Sequence, residues 1–123
     1  AVVETMLPKL VAATAIEQQP HVVERVRQMM LATAPATLVA ALRALATRPD
    51  ATAHLPHIGV PTLALAGEHD VITPVDVMHA MADAIPHCRR AVVPGAGHMS
   101  PMERPAEFTA AVLDFLNQPG VLH

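Results

Sequence analysis

The sequence predicts an α/β fold: a parallel β-α-β-α unit over residues 59–123, preceded by helical segments over residues 1–58. Three observations lead there. Two short, largely apolar runs in the second part, PTLALA at 61–66 and RAVV at 90–93, each end in a loop bearing glycine, and runs apolar on both faces mark buried parallel strands. A helix signal opened by proline follows each run. The first part has apolar residues at helical spacing instead.

Pro20 opens a segment in which Val22, Val23, Val26, Met29 and Met30 fall near the i, i+3, i+4, i+7 positions of an amphipathic helix, with Glu24, Arg25, Arg27 and Gln28 on its other side. Pro35 breaks that segment and, as a first-turn proline, opens the next helix. Leu38, Val39, Leu42 and Leu45 form its stripe, and Pro49 closes it. Asp50 is placed to cap a short turn before His54 and Pro56. Such short helices cannot bury a large core alone, so residues 1–58 read as a lid laid on another domain.

After the run at 61–66, Thr73 is expected to cap a helix with Pro74 at its first position and Asp76 in its first turn. Met78, Met81, Ala82 and Ile85 give that helix a buried stripe, and Pro86 stops it. Residues 90–93 form the second buried strand, with Cys88 just before it as inert packing. Pro105 begins a last helix with Phe108, Val112, Phe115 and Leu116 inward, ended by Pro119 and Gly120. Two parallel strands alone would leave open edges and bare faces, so further strands are expected beside them.

Composition narrows the function. At 52% hydrophobic and 15% charged, the 123 residues are too apolar for a disordered chain. They are also more apolar than a free-standing domain of this size requires. Eight Lys and Arg, scattered through a chain of net charge −3, give nucleic acid no basic stripe to bind. Aromatics make up 2%, whereas Met numbers seven, so flexible thioethers rather than rings must fill gaps. With Cys88 as the only cysteine, neither an internal disulfide nor a cysteine-based zinc site is possible. No apolar run reaches the roughly 18 residues of a helical membrane span. The acidic start AVVETMLPKL does not fit a signal peptide, so no membrane partner and a cytoplasmic location are the default expectations.

In open α/β sheets, ligands bind beyond the carboxyl ends of the strands. Two loops hold that position. Gly67-Glu68-His69-Asp70 follows the first run, and Gly95-Ala96-Gly97-His98-Met99-Ser100 follows the second, with one helix and one strand between them. A carboxylate at 70 could hold one nitrogen of an imidazole at 98, fixing the tautomer and leaving the other nitrogen to take a proton. The bland alternatives are a turn-capping Asp70 and an idle turn histidine at 98.

The segments PTLALAGEHDVITP and VVPGAGHMSPMERPAEF resemble the acid-strand and histidine-loop motifs of the α/β-hydrolase family, over roughly residues 59–116. The order Asp70 then His98 agrees with that family's succession of nucleophile, acid and histidine. Upstream, VVERVRQMMLATAPATLVAALRALATRPD is similar, more loosely, to the helical cap of esterase, enol-lactonase and haloperoxidase-like members. The resemblance implies the C-terminal β-α-β-α portion of an α/β-hydrolase parallel sheet, preceded by helical cap segments. It makes Asp70 the triad acid and His98 the general base. It also places Met29, Met30, Val71 and Met99 at an acyl pocket. No G-x-S-x-G elbow occurs, and Ser100, the only serine, stands two residues from His98 with no strand before it. The nucleophile and the oxyanion donors are therefore expected in an upstream half, and this chain alone should be inert.

The implied reaction is hydrolysis of a carboxylic ester, a lactone or a similar small acyl substrate, with no cofactor. The competing class is a non-catalytic module that self-associates or binds a protein through its apolar face. Glu68 and His69 read as solvated or supporting residues, and Ser100 as the maker of a local turn bond. Glu103 is expected to tether the histidine loop or cap the last helix. His54, His57, His69 and His79 are too irregularly spaced for a zinc site, so no metal is expected.

Overall fold

The computed structural model describes residues 2–122. Four helices come first: α1 (Val2–Leu10), α2 (Ala13–Gln18), α3 (Pro20–Ala32) and α4 (Pro35–Thr47). Proline sets two of the breaks. Gln19 leaves the helical region at φ −129° and ψ 58° ahead of Pro20, and Ala34 is extended ahead of Pro35, as the ring of a following proline demands. Helices α3 and α4 consequently meet at 94°. Among the described residues no single helix is long and apolar enough to cross a membrane. Asp50 Oδ1 accepts from the Thr52 amide at 2.9 Å ahead of a 3₁₀ turn, Thr52–His57, whose N-cap is Ala51 with no side-chain cap bond.

The β-α-β-α order follows. Strand β1 (Thr62–Gly67) pairs in parallel with β2 (Cys88–Val93), Thr62 opposite Cys88 and Gly67 opposite Val93. Helix α5 (Val75–Asp83) joins them and packs on both. A four-residue helix α6 (Ser100–Glu103), not anticipated from the sequence, precedes α7 (Pro105–Leu116), which packs on β2.

Three expectations are corrected. Thr73 does not cap α5, whose N-cap is Pro74 with no side-chain cap bond, because the Thr73 hydroxyl is drawn to Asp70 instead. The second strand starts at Cys88, inside the ladder rather than before it, because backbone pairing with Thr62 does not depend on side-chain polarity. That strand is not buried on both faces: Arg89, Arg90 and Val92 are exposed. Arg90 instead pairs with Asp83 at the end of α5.

Ala64, Ala66, Ala82, Ile85 and Val93 are buried between the strands and α5, and a second buried group lies where the N-terminal helices meet the segment after β2. Leu7, Val11, Ala15 and Val26 form the buried cluster, with Met30 from α3 and Met99 and Met102 from beyond β2 packed against it. The N-terminal helices thus rest on the segment that follows β2. Cover is thinner over α7 and α4. Phe108, Val112, Phe115 and Leu116 of α7 are only half-buried. The stripe of α4 is present but bare, with Leu42 at 55% and Leu45 at 60% exposure.

Candidate active site

The carboxyl ends of β1 and β2 carry the two loops, and the strand ladder continues into them. Glu68 N donates to Val93 O at 3.0 Å and His69 N to Ala96 O at 2.8 Å. The Glu68 carboxylate accepts from the Gly95 amide at 2.7 Å, so this residue supports the histidine loop while itself exposed. Gly95 sits at φ 70°, a conformation that a side chain would strain. At Gly67 the need is space. A Cβ there would lie 2.1 Å from Gly97 O and 2.6 Å from Ala96 O. We expect Gly67→Ala to destabilise the chain by about 1–3 kcal/mol through forced separation of the two loops, read as a lower urea midpoint at unchanged m-value.

That stitching brings Asp70 and His98 together. Asp70 Oδ2 stands 2.9 Å from His98 Nδ1. The acid is buried, whereas the imidazole is about one-third exposed. Asp70 is held by its own turn: Oδ1 accepts from the amides of Ile72 at 2.8 Å and Thr73 at 3.0 Å, and Oδ2 accepts from the Thr73 hydroxyl at 2.8 Å. Burial pushes the Asp70 carboxyl up. The hydrogen bonds from the Thr73 amide, His98, the Thr73 hydroxyl and the Ile72 amide outweigh it and hold the group below its ordinary 3.8. An ionised acceptor facing Nδ1 makes that nitrogen the donor, so Nε2 carries the lone pair that can take a proton.

A carboxyl whose pKa is depressed on folding adds stability above its unfolded pKa and loses it as the pH falls through the folded one. Acid titration should therefore leave stability from this group intact above about pH 4 and erode it below. Asp70→Asn should remove that part of the acid loss, a difference measurable by urea midpoints at successive pH values.

Thr73 serves the site and not the helix cap that its place before Pro74 suggests. Its hydroxyl binds Asp70 and lies 3.4 Å from His98 Nδ1. The Asp-x-x-Thr spacing, which favours side-chain bonds back to a turn, was the available signal. Glu103 tethers the histidine loop, its Oε2 accepting from the Gly97 amide at 3.0 Å. It does not cap α7, which has no side-chain cap bond. His69 is exposed beside Glu68. Ser100 is buried at the start of α6, where its carbonyl accepts from the Arg104 amide.

Met30 and Met99, two of the four residues expected at a pocket, pack against the same buried cluster. Met30 lines an apolar cavity of about 300 Å³ with Val2, Val3, Met6, Leu38 and Leu42. Met29 is 48% and Val71 63% exposed. Among the described residues no group of three or more His, Cys, Asp or Glu gathers as a metal site.

Likeness to known proteins runs along the same stretch. A family model described as serine aminopeptidase, S33, matches residues 1–105. A thermophilic esterase from Thermogutta terrifontis, solved with malate bound, superposes with a TM-score of 0.91 at 41% identity over 94% of this chain and 42% of its own. The enol-lactonase of Burkholderia xenovorans LB400 gives 0.87 at 28% identity, over 95% of this chain and 44% of its own. A pimeloyl-[acyl-carrier protein] methyl ester esterase from Nitrosomonas europaea is 36% identical over 76 residues, 62% of this chain and 30% of that protein. The chain thus spans less than half the length of each of these relatives.

Proposed function

Since the chain belongs to the serine aminopeptidase S33 family of α/β-hydrolases, we propose that it supplies the acid and base of a Ser-His-Asp triad whose serine lies outside residues 1–123. The substrate class is a carboxylic ester, a lactone or a similar small acyl compound, in line with the esterases and the enol-lactonase it resembles. The observation that carries this reading is the 2.9 Å contact between a buried Asp70 and a part-exposed His98 at the carboxyl rim of parallel strands.

In the proposed reaction, His98 Nε2 takes the proton of the serine hydroxyl as its oxygen attacks the acyl carbon. The imidazolium so formed is stabilised by Asp70 through Nδ1 and returns the proton to the departing alkoxide. Water then repeats the sequence on the acyl-serine, His98 taking its proton and restoring it to the serine. Residues 1–58 act as a lid over the core formed by 59–123, with the cavity beside Met30 as a candidate acyl pocket. A cytoplasmic location belongs to the same proposal.

A fluorophosphonate probe, which labels activated serines, tests the assignment. The chain alone should remain unlabelled, Ser100 included, and should not hydrolyse short aryl esters. A chimera that joins the part of the Thermogutta esterase preceding the matched region to this chain should be labelled and active. Labelling of Ser100 in the isolated chain would move the nucleophile inside it and sink the proposal; so would a folded chimera that is neither labelled nor active.

One observation favours the second reading, a non-catalytic module that self-associates or binds a protein. Helix α4 buries none of its residues. An inert folded chimera, with an isolated chain whose sedimentation coefficient rises with concentration, is the outcome that supports it.

A further inference from the structure

We propose that Glu103 is a positioning residue for the base: its carboxylate couples the backbone beside His98 to the α1–α2 junction, so that the N-terminal helices set where the imidazole stands. The inference rests on the reading of His98 as the general base.

Glu103 is 1% exposed. Its Oε2 accepts from Gly97 N at 3.0 Å, and its Oε1 accepts from Ala12 N at 2.6 Å, 91 residues away in the chain. Ala12 sits extended in the break between α1 and α2, at φ −66° and ψ 153°. A buried amide in such a break needs an acceptor, and the carboxylate supplies it. On the other side of His98, Met99 N donates directly to Leu10 O at 3.0 Å. The Glu103 carbonyl accepts from Gln19 Nε2 at 3.0 Å. Both neighbours of His98 are therefore fastened to the same helical segment. The approach leaves no slack, since a Cβ on Gly97 would lie 2.7 Å from Ala12 N and 2.9 Å from Val11 C.

The chemistry explains why a carboxylate stands there. Two amide donors require two acceptor oxygens, and a glutamine offers only one while placing its NH₂ against the other amide. Asp70 and Glu103 thus divide the work. The first fixes ring orientation and tautomer, whereas the second fixes the backbone from which the ring hangs.

The test is proton NMR of this chain, following the downfield His98 Hδ1 signal of an imidazole donating to a buried carboxylate, assigned by its loss in Asp70→Asn. In Glu103→Gln this signal should shift or broaden, together with the His98 and Met99 amides, while the β1–β2 ladder amides stay in place. Ala12→Pro should have the same effect from the other end, because Ala12 already holds the φ that proline imposes. No Hδ1 signal in the unmodified chain would refute the base assignment itself. A signal present and unmoved in both folded variants would overturn the role of Glu103 alone. If both variants lose their dispersed spectra, hydrogen exchange in the unmodified chain decides. The Ala12 and Gly97 amides should be protected and open together, and free exchange at Gly97 beside a protected Ala12 overturns the coupling.

Discussion

His98→Ala in the chimera described above should lower kcat by about 10⁵–10⁶ with little change in KM, because it removes the proton acceptor on which the proposed triad's other members depend. The loss is not additive. Without the imidazole, Asp70 has nothing to orient, and a further Asp70 substitution should cost almost nothing more. Folding should survive. His98 is part-exposed at the end of a loop whose backbone is held through Gly97 and Met99, not through the ring. The measurement is steady-state kinetics on a short acyl aryl ester, with circular dichroism as the check on structure. Turnover unchanged by the substitution would remove His98 from the mechanism.

Asp70→Asn should cost about 10⁴ in kcat at neutral pH, from a change that adds no bulk. The side chain can keep an oxygen facing the Ile72 and Thr73 amides, which donate to Oδ1. Its NH₂ then occupies the place of Oδ2, opposite His98 Nδ1 and the Thr73 hydroxyl. A donor there forces Nδ1 to accept, which moves the imidazole proton to Nε2, where the lone pair is required. The Thr73 hydroxyl, which donates to Asp70 in the native chain, must turn to accept as well. If kcat in this variant stayed within a few-fold of the parent, Asp70 would be an anchor of its own turn and not the triad acid.

The two effects differ in what they say about the fold. The loss in His98→Ala depends only on chemistry at Nε2. The loss in Asp70→Asn depends on a hydrogen-bond polarity set by residues 70, 72, 73 and 98 together. Thr73 belongs to that set although its position, one residue before a proline-opened helix, points to a cap. The hydroxyl donates to the buried Asp70 carboxylate rather than accepting from the amides at the start of α5. Charge-assisted bonds are roughly twice as strong as neutral ones.

Much of the architecture was legible along the chain. Pro20, Pro35 and Pro105 each mark a helix start, because proline fixes its own φ and excludes the preceding residue from the helical region. Glycines 67, 95 and 97 mark loops where backbones meet closely, and Asp70 and His98 stand at the carboxyl ends of their strands, where a carboxylate and an imidazole can pair. The stripe on α4 was also legible, but not its exposure, because periodicity identifies a face without saying what lies against it.

The linear order of residues determined the helix starts, the two parallel strands and the identity of the acid–imidazole pair, since each is encoded in dihedral preferences and spacings a few residues long. Tertiary structure alone decided that Thr73 serves Asp70, that Glu103 reaches Ala12, and that the N-terminal helices rest on the histidine loop. Those choices turn on which distant groups come within about 3 Å of one another. Such proximity is a property of the packed chain, and no local preference contains it.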